Sequence, residues 1–138
     1  MLIGDFNAKL DNDRRGLNAT VGPHGFASST NDNGERLLML TSTNGLSIGN
    51  TFFEHKRIHK VTWVSPGGGT RNELDYICIN TRWRSSLLDV RSYRGADVGS
   101  DHFLVVSKIK LKLKKVKKVQ PKRPYAVDKL KNKNFSEH

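Results

Sequence analysis

From Glu73 to Asn80 the chain reads Glu-Leu-Asp-Tyr-Ile-Cys-Ile-Asn, and no other stretch restricts the fold as tightly. A period of two puts Asp75, Ile77 and Ile79 on one face of a strand and Leu74, Tyr76 and Cys78 on the other. Both faces are apolar apart from Glu73, Asp75 and the tyrosine hydroxyl, so the strand belongs between two layers of structure. The remaining elements must cover both sides of it. A carboxylate in such a place needs a hydrogen-bond partner or a proton, because an unpaired buried charge is strongly disfavoured.

The rest of the chain supplies candidates for those layers. Met1 to Ile3 is the stub of an apolar strand that delivers Asp5 to a strand end, where chemistry is usually carried. Residues 8–33 are rich in Asn, Asp, Gly, Ser and Thr and predict a long surface loop with one short turn, of a length that points to function. Asp32 and Glu35 resemble a capping box, Leu37, Leu38, Leu40 and Thr41 form a face, and Asn44-Gly45 is a left-handed stop, so a helix is predicted over 33–44. Leu46, Ile48 and Phe52-Phe53 predict a strand, and Val61 to Ser65 another before the Pro66-Gly67-Gly68-Gly69 turn. Leu87 to Tyr93 and Phe103 to Leu113 complete the set, which makes the expected class α+β.

The 138 residues suit one domain, with 36% hydrophobic and 27% charged residues. Cys78, the single cysteine, sits in the apolar strand pattern and reads as a small buried side chain rather than a reactive thiol. Of the 24 Lys and Arg, twelve lie from Lys108 onward, against two of the thirteen acids, so that stretch carries +10 of the +11 net charge. A nearly neutral body with a cationic arm suits an enzyme core joined to a polyanion-attracting extension. Residues 114–138 read as a disordered linker or tail. Within it Lys114, Lys115, Lys117, Lys118, Lys122 and Arg123 are either a nucleic-acid or importin-binding run or simply solvated lysines. No apolar run approaches the roughly 18 residues of a membrane span, and the amino terminus has no secretory pattern, so the expectation is an intracellular protein without a membrane partner, and a nuclear one if the basic run is read as an import signal.

Two short acidic motifs carry the chemistry. In Gly4-Asp5-Phe6-Asn7 an extended backbone would point Asp5 and Asn7 the same way, one able to take a proton from water and the other to donate to a phosphoryl oxygen. Aspartate and asparagine after a strand are equally common as turn residues. In Ser100-Asp101-His102 the imidazole gains meaning from Asp75, since a buried carboxylate facing it would fix its orientation and stabilise its protonated form beside a phosphate. Asp101 would then be available to Mg²⁺, a hard ion that takes one or two carboxylates and keeps several waters. His24, His55 and His59 have no comparable partner nearby in sequence and are expected at the surface, and the spacing offers no zinc site.

These motifs do not stand alone. Gly4 to Lys9, Val21-Gly22-Pro23-His24-Gly25, Asn31 to Leu38, Ile58 to Trp63, Thr70 to Ile77, Arg82-Trp83-Arg84-Ser85-Ser86 and Arg94 to His102 together resemble the endonuclease/exonuclease/phosphatase superfamily, the deoxyribonuclease I-like enzymes. Within it they look most like the endonuclease domain of RTE-type non-LTR retrotransposons and the craniofacial development protein 2 group, host proteins sharing that domain. The resemblance spans nearly all of residues 1–113, taken as a partial domain of this kind. It implies the carboxy-terminal half of a four-layer α/β/β/α sandwich with mostly antiparallel sheets, and Mg²⁺-dependent phosphodiester hydrolysis with Mn²⁺ as a substitute and DNA as the partner. By position, Asp5 resembles the residue that orients or deprotonates the attacking water, and Asn7 the one that contacts the scissile phosphate and helps hold metal. His102 resembles the phosphate-stabilising imidazole, Asp75 its partner and Asp101 a metal-associated carboxylate. Thr62 and Trp63 match a motif near the DNA-facing surface, for which packing is an equally good explanation. Glu73-Leu74 departs from the more usual Gln-Ile.

The resemblance also implies two earlier strands, one bringing an asparagine and one the glutamate that is the principal metal ligand, and neither is among these residues. Residues 1–138 alone are therefore expected to be a weak enzyme with an open apolar sheet face. Two readings stand beside each other: part of an endonuclease, or a non-catalytic remnant that binds nucleic acid or another protein through its basic tail. Other superfamily substrates, phosphoinositides, sphingolipids and nucleotides, are disfavoured only by the cationic tail and the likeness to element endonucleases.

Overall fold

A computed structural model describes residues 1–96 and 99–121. In chain order its elements are β1 (Leu2–Asp5), α1 (Asp32–Thr43), β2 (Leu46–Ile48), β3 (Trp63–Val64), β4 (Arg71–Asn72), β5 (Asp75–Asn80), β6 (Leu87–Tyr93) and β7 (Leu104–Ile109). Short 3-10 turns occupy Gly49–Phe52, Arg57–His59 and Thr81–Ser86. The strands form three small antiparallel sheets, ordered β1-β5-β2, β3-β4 and β6-β7, so the fold is mixed α+β.

The strand with two apolar faces is the centre of the largest sheet, and each face has its own cluster. Tyr76 and Cys78 pack with Ala8, Leu10, Val21, Leu37, Leu38 and Ile48. Ile77 and Ile79 pack with Leu87 and Val90, joined by Phe53 and Val105. Tyr76 is 1% exposed, and its single hydroxyl proton is shared between the carbonyls of Ala8 and Glu73, both at 3.0 Å, so its polar end is satisfied inside the core. Burial pushes the Cys78 thiol up to about 12, consistent with an inert packing residue.

Several local expectations change. The helix is capped by Asn31, whose side chain accepts the Gly34 N–H at 2.7 Å and the Lys9 N–H at 2.9 Å, with Asp32 already helical. No capping box forms, because the Glu35 carboxylate pairs with Arg15 instead. The buried stripe is Gly34, Leu37, Leu38 and Thr41, and Leu40 falls outside it in solvent. Of residues 8–33, those up to Asn31 contain neither helix nor strand apart from one bridge between Val21 and Ile48, yet they are not a surface loop. Ala8, Leu10, Val21 and Phe26 are buried, and Ala27 N–H to Leu10 O and Val21 N–H to Leu17 O tie the segment to itself. Phe52 closes a 3-10 turn rather than a strand. Gly49 is required there, since a Cβ would meet Ile77 O at 2.7 Å and Leu87 at 2.6 Å where the turn crosses β5.

The predicted strand at Val61–Ser65 shortens to Trp63–Val64, and the one at Glu73 begins at Asp75. The last strand ends at Ile109 rather than Leu113, because β6 stops offering partners once Lys110 N–H has reached Ser86 O. Beyond it Lys114, Lys115, Lys117 and Lys118 are exposed without helix or strand, while Lys122, Arg123 and the remainder of the tail lie outside the described residues. At the other end Ile3 is 63% exposed, and with Leu104 it lines an apolar groove of about 280 Å³. No helix among the described residues is long and apolar enough to cross a membrane.

Candidate functional site

The register of β1 against β5 sets Asp5 directly opposite Asp75. A second pairing brings His102 to the same place. Trp63 and His102 form an antiparallel bridge, flanked by Val64 N–H to Asp101 O at 3.1 Å and Phe103 N–H to Thr62 O at 2.8 Å. The two motifs, nearly a hundred positions apart in the sequence, thus meet where β1 and β5 adjoin the Thr62–Val64 and Asp101–Phe103 segments.

His102 is the hub. Its Nδ1 lies 2.8 Å from Asp75 Oδ2, a hydrogen bond, while its Nε2 lies 3.7 Å from Asp5 Oδ2 and 4.0 Å from Asp101 Oδ1, too far for direct bonds. Burial pulls the imidazole pKa down, but the Asp75 hydrogen bond and the charges of Asp75, Asp5 and Asp101 outweigh it, so the net shift is upward. Asp101 is held in turn by Trp63, whose indole N–H donates to Oδ2 at 2.9 Å and, as the chief cause, lowers the carboxyl pKa.

Asp5 and Asn7 share one cleft of about 420 Å³ with His102, Trp63 and Lys9. They do so by a turn and not by an extended backbone: Asp5 Oδ1 accepts the Asn7 N–H at 2.8 Å, and Asn7 sits at φ 47°. The left-handed region is open to asparagine at modest cost. Asn33 steadies the turn by donating to Asn7 O at 3.1 Å.

Thr62 and Trp63 divide. Trp63 is partly exposed at the cleft, whereas Thr62 is 1% exposed and its hydroxyl accepts the N–H groups of Leu74 and Asp75 at 2.9 and 3.2 Å. Packing accounts for Thr62, which is too deep to touch a substrate. Asn50 is a second support that no sequence pattern marks. Its amide donates to Asp75 O at 2.9 Å and accepts from Ile77 N–H at 3.0 Å.

Three ligand atoms, one each from Asp5, Asp75 and His102, lie within 4.8 Å of one another. Asp75 and His102 Nδ1 already satisfy each other, which leaves the half-exposed carboxylates of Asp5 and Asp101, with the Asn7 side chain on the same cleft. Oxygen donors of this kind fit a hard divalent cation such as Mg²⁺. Away from this centre, two histidines are not the isolated surface residues expected: His55 bonds Asp89 at 2.6 Å and His59 meets Arg91 at 3.0 Å. Beneath the site Lys60 and Glu73 are buried together, with Nζ and Oε2 3.8 Å apart.

Comparison with known proteins gives one clear relationship. Over 126 residues the chain is 39% identical to craniofacial development protein 2 of Bos taurus, and over 117 residues it is 39% identical to the protein of that name from Tragulus javanicus. The chain is homologous to craniofacial development protein 2. The aligned stretches take 91% and 85% of this chain, and it spans 20% of the length of each of these relatives. No family model matches the sequence, and no solved structure gives a significant match.

Proposed function

We propose that the chain carries part of a Mg²⁺-dependent DNA endonuclease of the retrotransposon type. The observation that carries this reading is the placement of His102 between Asp75 and Asp5, with Asn7 and Asp101 alongside. In it, Asp5 orients or deprotonates a water whose oxygen forms the new bond to phosphorus as the P–O bond to one sugar oxygen breaks, and that leaving oxygen takes up a proton from solvent. His102, oriented by Asp75 and favoured in its protonated form, faces the phosphoryl oxygens, and Asn7 donates to the scissile phosphate. Asp5, Asn7 and Asp101 are the residues that would hold Mg²⁺, or Mn²⁺ in its place, and the ion would supply positive charge to the phosphate. The described sheets then belong to a four-layer α/β/β/α sandwich within residues 1–113.

Nicking of supercoiled plasmid is the test. The expected result is slow relaxation with Mg²⁺ that chelation and Asp5→Ala both abolish. Relaxation that survives Asp5→Ala sinks the reading, as does its complete absence in a longer homologous chain.

The exposed Lys114 to Lys118 run supports a second reading, in which the basic arm alone binds nucleic acid or an importin. Deleting residues 114–138 separates the two. Loss of all DNA binding, with any nicking unchanged, makes the arm the binding part.

A further inference from the structure

The segment of residues 8–33, which the cleavage chemistry barely uses, builds a second cleft of about 420 Å³ beside the first. Lys9 and Asn72 line both, so the two form one trough. Beyond them the second part carries Arg57, Arg71, Ser28 and Ser29, and no carboxylate among the described residues lines it. None of Lys9, Arg57 and Arg71 forms an ion pair among the described residues, whereas Arg15, Arg36 and Lys60 each have an acidic partner.

One wall is fixed before any ligand arrives. Arg57 lies 4.1 Å over the Phe26 ring and donates to the Phe26 carbonyl at 3.3 Å, which holds the guanidinium in place. Asp11 and Thr30 bond each other twice at 3.2 Å, and Gly25 packs so tightly that a Cβ would meet Asp11 O at 2.0 Å. A preorganised guanidinium at Arg57, with Lys9, Arg71 and the Ser28 and Ser29 hydroxyls around it and the nearby Asp11 carboxylate bonded to the Thr30 N–H, suits a phosphate, and the fixed cation spares part of the cost of ordering.

We infer that this part of the trough is a second phosphate subsite, in which Lys9, Arg57 and Arg71 hold a backbone phosphate of the same nucleic-acid strand whose neighbouring phosphodiester lies at Asp5 and His102. The inference rests on the cleavage reading and extends it to a second phosphate of the strand. A molecule with a single phosphate fills only one end of the trough.

The test is a titration of the full chain, without divalent cation, followed through backbone amide resonances. The probes are the thymidine trinucleotide TpTpT and, separately, thymidine 5′-monophosphate. The trinucleotide is expected to shift Ser28, Ser29 and Arg71 saturably together with Asn7 and His102, and the mononucleotide to leave Ser28 and Ser29 in place. Arg57→Ala/Arg71→Ala is expected to remove the Ser28 and Ser29 shifts and weaken a twelve-nucleotide single strand about tenfold, with a salt slope shallower by roughly 0.7 for each phosphate no longer neutralised. Arg71→Ala alone, at an exposed hairpin position, repeats the test should loss of Arg57 loosen Phe26. Lys117→Ala/Lys118→Ala removes the same charge from the tail and should leave the Ser28 and Ser29 shifts intact. Shifts confined to residues beyond Lys108, unchanged affinity in the arginine variants, or displacement of the trinucleotide by phosphoinositide vesicles would each overturn the subsite. Binding in this trough by a chain that never cuts DNA refutes the cleavage reading and keeps the subsite.

Discussion

Asp75 and His102, 27 residues apart in sequence, are joined by a 2.8 Å hydrogen bond between Oδ2 and Nδ1. The imidazole pKa is raised above its ordinary 6.5, because this bond and three carboxylate charges outweigh burial. A histidine whose folded pKa exceeds its unfolded one adds stability that is complete below the unfolded value and is lost as pH rises through the folded one. Asp75→Asn should therefore move the His102 titration midpoint downward, read from the ring proton resonances. It should also destabilise the chain more at pH 6 than at pH 9. Any nicking activity should fall by about 100-fold or more. An unmoved midpoint would show that the bond does not govern the imidazole.

Thr62 acts on the site from underneath. Its hydroxyl is the acceptor for the Leu74 and Asp75 N–H groups, at the point where β5 begins. Thr62→Val keeps the shape and leaves two buried donors unsatisfied, so it should cost about 1–3 kcal/mol in urea unfolding, while Thr62→Ser should cost less than about 1 kcal/mol. A substrate-binding threonine would behave differently, with weaker DNA binding and unchanged stability.

Trp63 and Asp101 offer an optical probe of metal binding, since the indole N–H and the carboxylate are bonded at 2.9 Å. In a Trp83→Phe background, where Trp63 is the remaining indole, Mg²⁺ is expected to change the emission saturably, and Asp101→Asn to remove the response. Emission that follows ionic strength alone, with no difference between Mg²⁺ and Na⁺, argues against a site at Asp101.

How far each feature could be read from the sequence follows from the range of the forces that make it. β5 was legible because period-two alternation and burial on both faces are local properties of eight residues. So were the strand ends bearing Asp5 and His102, each marked by a loop-to-strand change in composition. Other features depend on distant partners. Residues 8–33 look solvated by composition, yet scattered apolar positions such as Leu10, Val21 and Phe26 pull the segment inward. Thr62, Asn50 and the His55–Asp89 pair owe their roles to hydrogen bonds over 12 to 34 residues, which no periodicity encodes. The helix start moved by one residue because Asn31 also serves the Lys9 N–H, a tertiary bond that Asp32 could not replace.

Glu73 is 3% exposed beside Lys60, which is 7% exposed, and its Oε1 has no hydrogen-bond partner. Burial is the dominant influence on Glu73 and raises its pKa from 4.5 to about 7, against the pull of Lys60 and of the Asn50 side chain. Burial likewise lowers the Lys60 pKa, with Glu73 opposing. A carboxylate raised in this way favours the native state most below pH 4.5 and loses that contribution as pH climbs through about 7. The full loss, near pH 8, is on the order of 3 kcal/mol for a shift of this size. Glu73→Gln removes the titration and keeps the shape, and Lys60 retains the Asn50 carbonyl at 2.9 Å as an acceptor. The variant should thus match the parent near pH 5 and exceed its melting temperature by several degrees near pH 8. Were attraction to Lys60 the larger force, the variant would instead melt earlier at pH 8, so the sign of that difference decides between ion pairing and burial at this position.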